Sequence, residues 1–320
     1  MKQRPEQRTE RGAAAPTGME RRALIAAGVT VLLWASAFIA IRSAGHHYSP
    51  GALALGRLLT GSVALGAIAL VRRVGLPPRA AWPGIVVSGV LWFGLYSFSL
   101  SWAEREVDAG TAALVVNVGP ILIALLSGWL LQEGFPPRLL TGLAVSFAGA
   151  AVVGLSMSGG GRSSIVGVLL CLIAAVAYAA GVVGQKPALR HASALQVTTF
   201  GCVTGAVACL PFSGQFVSAV ANAPASATLN VLYLGVFPTA VAFTTWAYAL
   251  ARTSAGKMGA TTYAAPPLVV LMSWAALGEV PGWLTLGGGV LCLAGVAISR
   301  RRGRAAAVPV IPREPREMAS

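Results

Sequence analysis

Few side chains in this sequence are placed to make or break bonds. His46, His47 and His191 are its three histidines, and all stand in polar connecting stretches. No HExxH, GxSxG or phosphate-binding glycine loop occurs, so the sequence offers no catalytic residue, no metal site and no cofactor. Cys171, Cys202, Cys209 and Cys292 lie inside apolar runs without ligand spacing and read as small buried thiols. What remains is a set of aromatic and hydrogen-bonding side chains within apolar stretches: Trp34, Phe38, Trp92, Tyr96, Asn117, Tyr178 and Tyr263. Their chemistry is recognition of a small molecule. Rings supply apolar and cation–π contact, while amide and phenol groups fix orientation. Packing between helices is the competing reading for Trp34, Trp92 and Tyr178. Arg57 is the one full charge deep inside such a stretch, and either meets a substrate carboxylate or ties its helix to carbonyls of a neighbour.

The elements that carry these residues are apolar runs of membrane-spanning length. Of 320 residues, 56% are hydrophobic and 11% charged, against about 25% charged in a globular chain. Turn and charge signals divide the middle of the chain into ten runs near 23–41, 50–71, 82–102, 109–131, 138–157, 165–184, 194–213, 228–250, 256–277 and 283–299. Each approaches the ~20 residues a spanning helix needs. Arg21-Arg22 before the first run, with Ala35-Ser36-Ala37 inside it, mimics a secretory signal, but the apolar runs that follow favour an uncleaved span. Residues 1–22 and 301–320 are polar and basic and read as disordered tails. The formal charge of +14 would ordinarily suggest a nucleic-acid partner. Here every Lys and Arg except Arg42, Arg57, Arg105 and Arg162 falls on the side of the two termini. That bias predicts cytoplasmic termini, contact with anionic headgroups on the cytoplasmic side, and no nucleic acid.

The chain also repeats itself. A shift of 146 residues superposes Ala109-Gly110 on Ala255-Gly256, Asn117 on Tyr263, Pro120 on Pro266, Ser127 on Ser273 and Glu133 on Glu279. Gly142 and Gly149 fall on Gly288 and Gly295. A shift of 144 superposes Trp34 on Tyr178, Arg42 on Lys186 and Gly61 on Gly205. Two halves, 23–157 and 163–300, then hold five spans each, and an odd repeat must enter the membrane from opposite sides. Inverted repeats place a substrate site near the midplane and let the halves exchange roles. Pro120 and Pro266 are expected to kink their helices and free a carbonyl. Glu133 and Glu279, at span ends, read as anchors rather than proton carriers. Arg57 aligns with Gly201, which favours the structural tie. With no acid in the middle of a span, weakly coupled or facilitative export is expected. The small-residue faces of the fifth and tenth runs suit packing against each other, with a homodimer as the alternative.

These features resemble the drug/metabolite transporter superfamily, EamA-type. The resemblance rests on Trp34-Ala-Ser-Ala-Phe38, Arg57 with Leu58-Leu59, Pro120 through Glu133 and Gly142 through Gly149. In the second half it rests on Tyr178 to Gln185-Lys186, Pro238-Thr-Ala240, Trp246-Ala-Tyr-Ala-Leu250, Pro266 and Gly278-Glu279. It implies an all-α basket of ten transmembrane helices around a central cavity, in the cell (inner) membrane, moving small metabolites. Amino acids are the leading substrate class. Phosphorylated or nucleotide-linked sugars, and a non-transporting scaffold or receptor of the same fold, are the alternatives.

Overall fold

The computed structural model describes residues 18–132, 134–135, 138–156, 162–253, 255–279 and 281–300. The tails expected at either end otherwise lie outside the described residues. Helix α1 (Gly18–Ala44) already begins within the first of them. All regular structure among the described residues is helical. Six helices are long and apolar enough to cross a membrane: Arg22–Ala44, Pro50–Val71, Arg79–Glu106, Ala109–Leu130, Ile165–Ala188 and Ala225–Leu250. A seventh is reached if Ala194–Ala208 and Leu210–Asn222, bent by 53°, form one span. Leu70, Trp274 and Trp283 stand exposed on outward faces, as befits a surface covered by lipid. The chain is therefore an integral, multi-pass membrane protein.

Local chemistry sets the helix starts. Helix α2 (Pro50–Val71) follows Ser49, whose hydroxyl accepts the Ala52 N–H, with Pro50 at the first position. Helix α3 (Trp82–Ser88) runs through a π-helical segment, Gly89–Tyr96, into α4 (Ser97–Glu106). Asp108 caps α5 (Ala109–Val116) by accepting the Thr111 N–H at 2.8 Å. Helix α6 (Gly119–Leu130) follows a break at Asn117-Val118. After α7 (Leu139–Ser156) and α8 (Arg162–Ala188), a Ser193–Gln196 capping box starts α9 (Ala194–Ala208). Then follow α10 (Ser213–Asn222) and α11 (Ala225–Leu234), a second π segment at Gly235–Val241, and α12 (Ala242–Leu250). Helices α13 (Ala255–Thr261), α14 (Ala265–Leu277) and α15 (Trp283–Arg300) complete the order.

Three features differ from the sequence reading. Pro120 and Pro266 do not kink continuous helices. Pro120 stands in the first turn of α6 after the turn at Asn117-Val118, and Pro266 in the first turn of α14 after the 3₁₀ turn Thr262–Ala264, where the missing N–H costs little. Glu104, beyond the end of the third run, lies in the last turn of α4 because the helix continues through the Glu104-Arg105-Glu106 triplet. The seventh run bends beyond Cys209 and continues as α10, which the sequence reading took as loop.

Helices α7 and α15 pack through their small residues. A Cβ on Gly149 would lie 2.6 Å from the Cys292 nitrogen and the Gly288 carbonyl oxygen; one on Gly295 would lie 2.5 Å from the Gly142 carbonyl oxygen. The Ser146 hydroxyl donates to the Cys292 carbonyl at 2.8 Å, and the Cys292 thiol donates back to the Ser146 carbonyl at 3.2 Å. The two small-residue faces are thus buried against each other within one chain.

Candidate functional site

An aromatic cluster occupies the centre of the helix array. The Trp34 ring, from α1, meets Trp92 at 5.7 Å, Tyr178 at 6.4 Å, Phe243 at 5.4 Å and Trp246 at 4.8 Å between ring centroids. Trp92 comes from the first π segment, Tyr178 from α8, and Phe243 and Trp246 from α12. The wider π turn, with its i→i+5 bonding, sets the direction in which Trp92 and Tyr96 leave the backbone. The Trp34 indole N–H donates to the Pro238 carbonyl of the other π segment at 3.2 Å. One wall of the cluster therefore binds across the chain as well as packing.

Beside these rings lies a cavity of about 60 Å³, lined by Trp34, Phe38, Trp92, Tyr96 and Tyr178 and by the polar Arg57, Asn117 and Thr262. Arg57 is 3% exposed and donates from Nε and Nη2 to the Thr239 hydroxyl at 3.3 and 3.1 Å. Among the described residues no carboxylate pairs with it. A guanidinium has five N–H donors, so this hydroxyl leaves donor capacity facing the cavity. Asn117 ends α5, its backbone N–H donating to the Ala113 and Val115 carbonyls, while its side-chain Nδ2 has no hydrogen-bond partner among the described residues. A guanidinium and an amide donor on one wall, with ring faces opposite, can hold a carboxylate and an apolar body in fixed relation.

Two helix ends near this region are each bound by a cation from another helix. At one, Arg42 Nε pairs with Glu279 at 2.8 Å while its Nη1 donates to the Glu104 carbonyl, joining α1, α4 and the end of α14. At the other, Lys186 donates to the Leu250 carbonyl at 2.7 Å and to the Thr253 carbonyl, joining α8 to α12.

Three comparisons bear on this arrangement. The model of the EamA-like transporter family matches the chain twice, over residues 21–155 and 165–301. The chain belongs to the EamA-like transporter family. It is 36% identical to a protein of Streptantibioticus cattleyicolor named "Probable terminal-alkyne amino-acid exporter", over 86% of this chain and 92% of that one. It is 24% identical to the "Probable amino-acid metabolite efflux pump" of Salmonella typhimurium, over 88% of this chain and 95% of that one. A crystal structure matches with a TM-score of 0.63 and 25% identity, covering 88% of this chain and 99% of its own. An EamA-family member is a membrane transporter for a small molecule, not an enzyme.

Most of the residues singled out in the sequence line one cavity: Trp34, Phe38, Arg57, Trp92, Tyr96, Asn117, Tyr178 and Pro266. Tyr263 does not. It packs with Ile121, Ala124 and Leu125, because the 3₁₀ turn Thr262–Ala264 changes the helical phase and presents Thr262 instead. Pro120 stays on its own helix outside the lining. Glu279 pairs with Arg42, and Glu133 lies outside the described residues. Apart from the repeat, the sequence offers no signal for Phe243 and Thr262 as lining residues, or for Trp246 as a member of the ring cluster behind them. Thr262 was reachable by the repeat, since it superposes on Val116, another lining residue.

Proposed function

We propose that this EamA-family chain is a ten-span secondary transporter that exports amino acids or related amphiphilic solutes by alternating access. The observation that carries the reading is a ring-walled cavity with one buried guanidinium and one amide donor in its lining. The α-carboxylate meets Arg57 and Asn117, and an apolar side chain lies against Trp34, Tyr178 and Trp92. At about 60 Å³ the cavity is well under the ~300–1,000 Å³ of ordinary ligand sites, which suits a closed form that opens to admit solute. Export is favoured by the names of the two relatives.

Reciprocal contacts support inverted halves at 23–157 and 163–300. Ser146 and Cys292, 146 residues apart, bond to each other's carbonyls. The π segments begin at Gly89 and Gly235, equivalent positions under the same shift. Arg42 bound to the Glu104 carbonyl corresponds to Lys186 bound to the Leu250 carbonyl. With the basic residues on the side of the termini, the Arg42 mouth faces outward and the Lys186 mouth faces the cytoplasm. Sugar phosphates are the weaker substrate class, since a dianion needs clustered cations and Arg57 stands alone in the lining.

The test is flux in liposomes holding purified protein, with an equimolar mixture of radiolabelled L-amino acids as probe. Wild type exchanges label across the membrane. Trp34→Ala and Tyr178→Ala each lower exchange about tenfold or more, on the scale of one lost aromatic contact with a desolvated solute, while membrane insertion stays intact. Exchange unaltered in both variants refutes the cavity assignment, and none in wild type favours the scaffold reading.

A further inference from the structure

Glu104 is a buried acid that the solute cavity leaves unexplained. It is 1% exposed, and neither carboxylate oxygen has a hydrogen-bond partner among the described residues. Only its backbone carbonyl is engaged, by Arg42. The charged and titratable groups close enough to act on it electrostatically are Arg42 from α1, Arg57 from α2, Asp108 at the start of α5, Glu279 after α14, Tyr96 on its own spanning segment and Cys171 from α8. Both cations have other partners, Arg42 with Glu279 and Arg57 with Thr239. An ionised carboxylate held out of water with no partner is costly, whereas a carboxyl that takes a proton is not. Leu100, one turn earlier on α4, lines the cavity, so this helix connects the acid to the solute site.

We propose that Glu104 is the proton-binding site that couples solute export to an inward flow of protons. The inference rests on the transporter reading and replaces the expectation of weakly coupled export, which placed 104–106 beyond the third run. With the outer mouth open, the Glu104 carboxylate takes a proton from external water and an O–H bond forms. The neutral carboxyl is then buried, Arg42 is released to pair with Glu279, and the mouth shuts. When the inner mouth opens, cavity water reaches past Leu100 and the same O–H bond breaks. The proton leaves to that water, and the carboxylate is held by the charges of Arg42 and Arg57. One proton enters for each solute exported.

The experiment uses liposomes holding the full chain, the same labelled amino-acid mixture, and a membrane potential clamped with potassium and valinomycin. Exchange at equal pH on both sides tests transport itself; accumulation driven by a pH difference tests coupling. Wild type accumulates label on the acidic side, approaching about tenfold per pH unit for one proton per neutral solute. Glu104→Gln keeps exchange at equal pH but loses pH-driven accumulation, and Glu104→Asp retains it. Wild type that exchanges label without responding to the pH difference refutes proton coupling and leaves transport standing. Accumulation that survives in Glu104→Gln refutes this residue as the site. No exchange at all by wild type removes both readings. Infrared spectroscopy of purified protein gives a solute-independent check: a protonated-carboxyl band present in wild type disappears in Glu104→Gln, and a band unchanged by the substitution overturns the assignment.

Discussion

Arg57 shows how far a single residue can be read. Its position inside an apolar run marks it from the sequence, and in the structure it is 3% exposed, enclosed by protein. The sequence leaves two roles open, and the structure gives it features of each: a bond to Thr239 rather than to helix carbonyls, and a place in the cavity wall. Replacement separates the two. Arg57→Met removes a buried charge that has no carboxylate partner, so the purified protein is expected to melt at the same temperature or higher. Exchange of α-carboxylate solutes should nevertheless fall about tenfold or more, the effect of losing a charge-assisted hydrogen bond of roughly 1.5–3 kcal/mol. Thermal unfolding and flux on the same preparation check both. A fall in stability with flux unchanged assigns Arg57 to structure alone. Glu104 shows the opposite limit of reading from sequence. Three charged residues in a row look like a loop, but the helical phase turns Arg105 outward and Glu104 inward. Composition carries no phase, so the inward acid stays hidden until its helix is built.

The helices were legible wherever apolar length decided the matter, as in α1, α2 and α8, and less so wherever local geometry did. A π turn adds a residue to the usual spacing, and the segment at Gly89–Tyr96 leaves no mark in an apolar run, while at Gly235–Val241 only Pro238 hints at an irregular turn. The stretch between the seventh and eighth runs reads as a connection, although Pro211 sits in the first turn of a short 3₁₀ helix that leads into α10 and Pro224 directly precedes α11. The glycines of the fifth and tenth runs were the clearer signal. Lipid offers no hydrophobic drive between helices, so close approach through small residues is what holds α7 on α15. Gly149→Leu should cost about 1–3 kcal/mol by overpacking against the Cys292 and Gly288 backbone. Ser146→Ala should cost only about 0.6 kcal/mol, the usual value of one hydrogen bond within a membrane protein. Gly66→Leu, where an added Cβ meets nothing, is the control and should be silent. Unfolding in mixed micelles ranks the three; equal effects at Gly149 and Gly66 would show that the crossing is not tightly packed.

At the scale of the whole molecule, the question is what the two mouths do to each other. If the halves exchange roles, the cation of one half and the cation of the other stabilise opposite closures, and removing either shifts the population in a predictable direction. Arg42 loses an ion pair of 2.8 Å and a bond to the Glu104 carbonyl when replaced by alanine; Lys186 loses bonds to the Leu250 and Thr253 carbonyls. A perturbation moves a two-state equilibrium only by its difference between the states, so each substitution acts on the closure in which its contacts exist. A cysteine introduced at Ala37, beside Trp34 in the cavity wall, reports the outcome through a membrane-impermeant maleimide added from outside. The four native cysteines are buried and give little background. Arg42→Ala should raise the labelling rate and Lys186→Ala should lower it. Opposite signs from two cations on opposite sides of the cavity are what alternating access requires, because opening one mouth must draw on the same population that opens the other. If both substitutions raise labelling, the mouths loosen independently and the chain behaves as a channel. If neither changes it, the contacts hold helix ends in place without controlling access, and the closed form of the cavity must be set by the aromatic cluster itself.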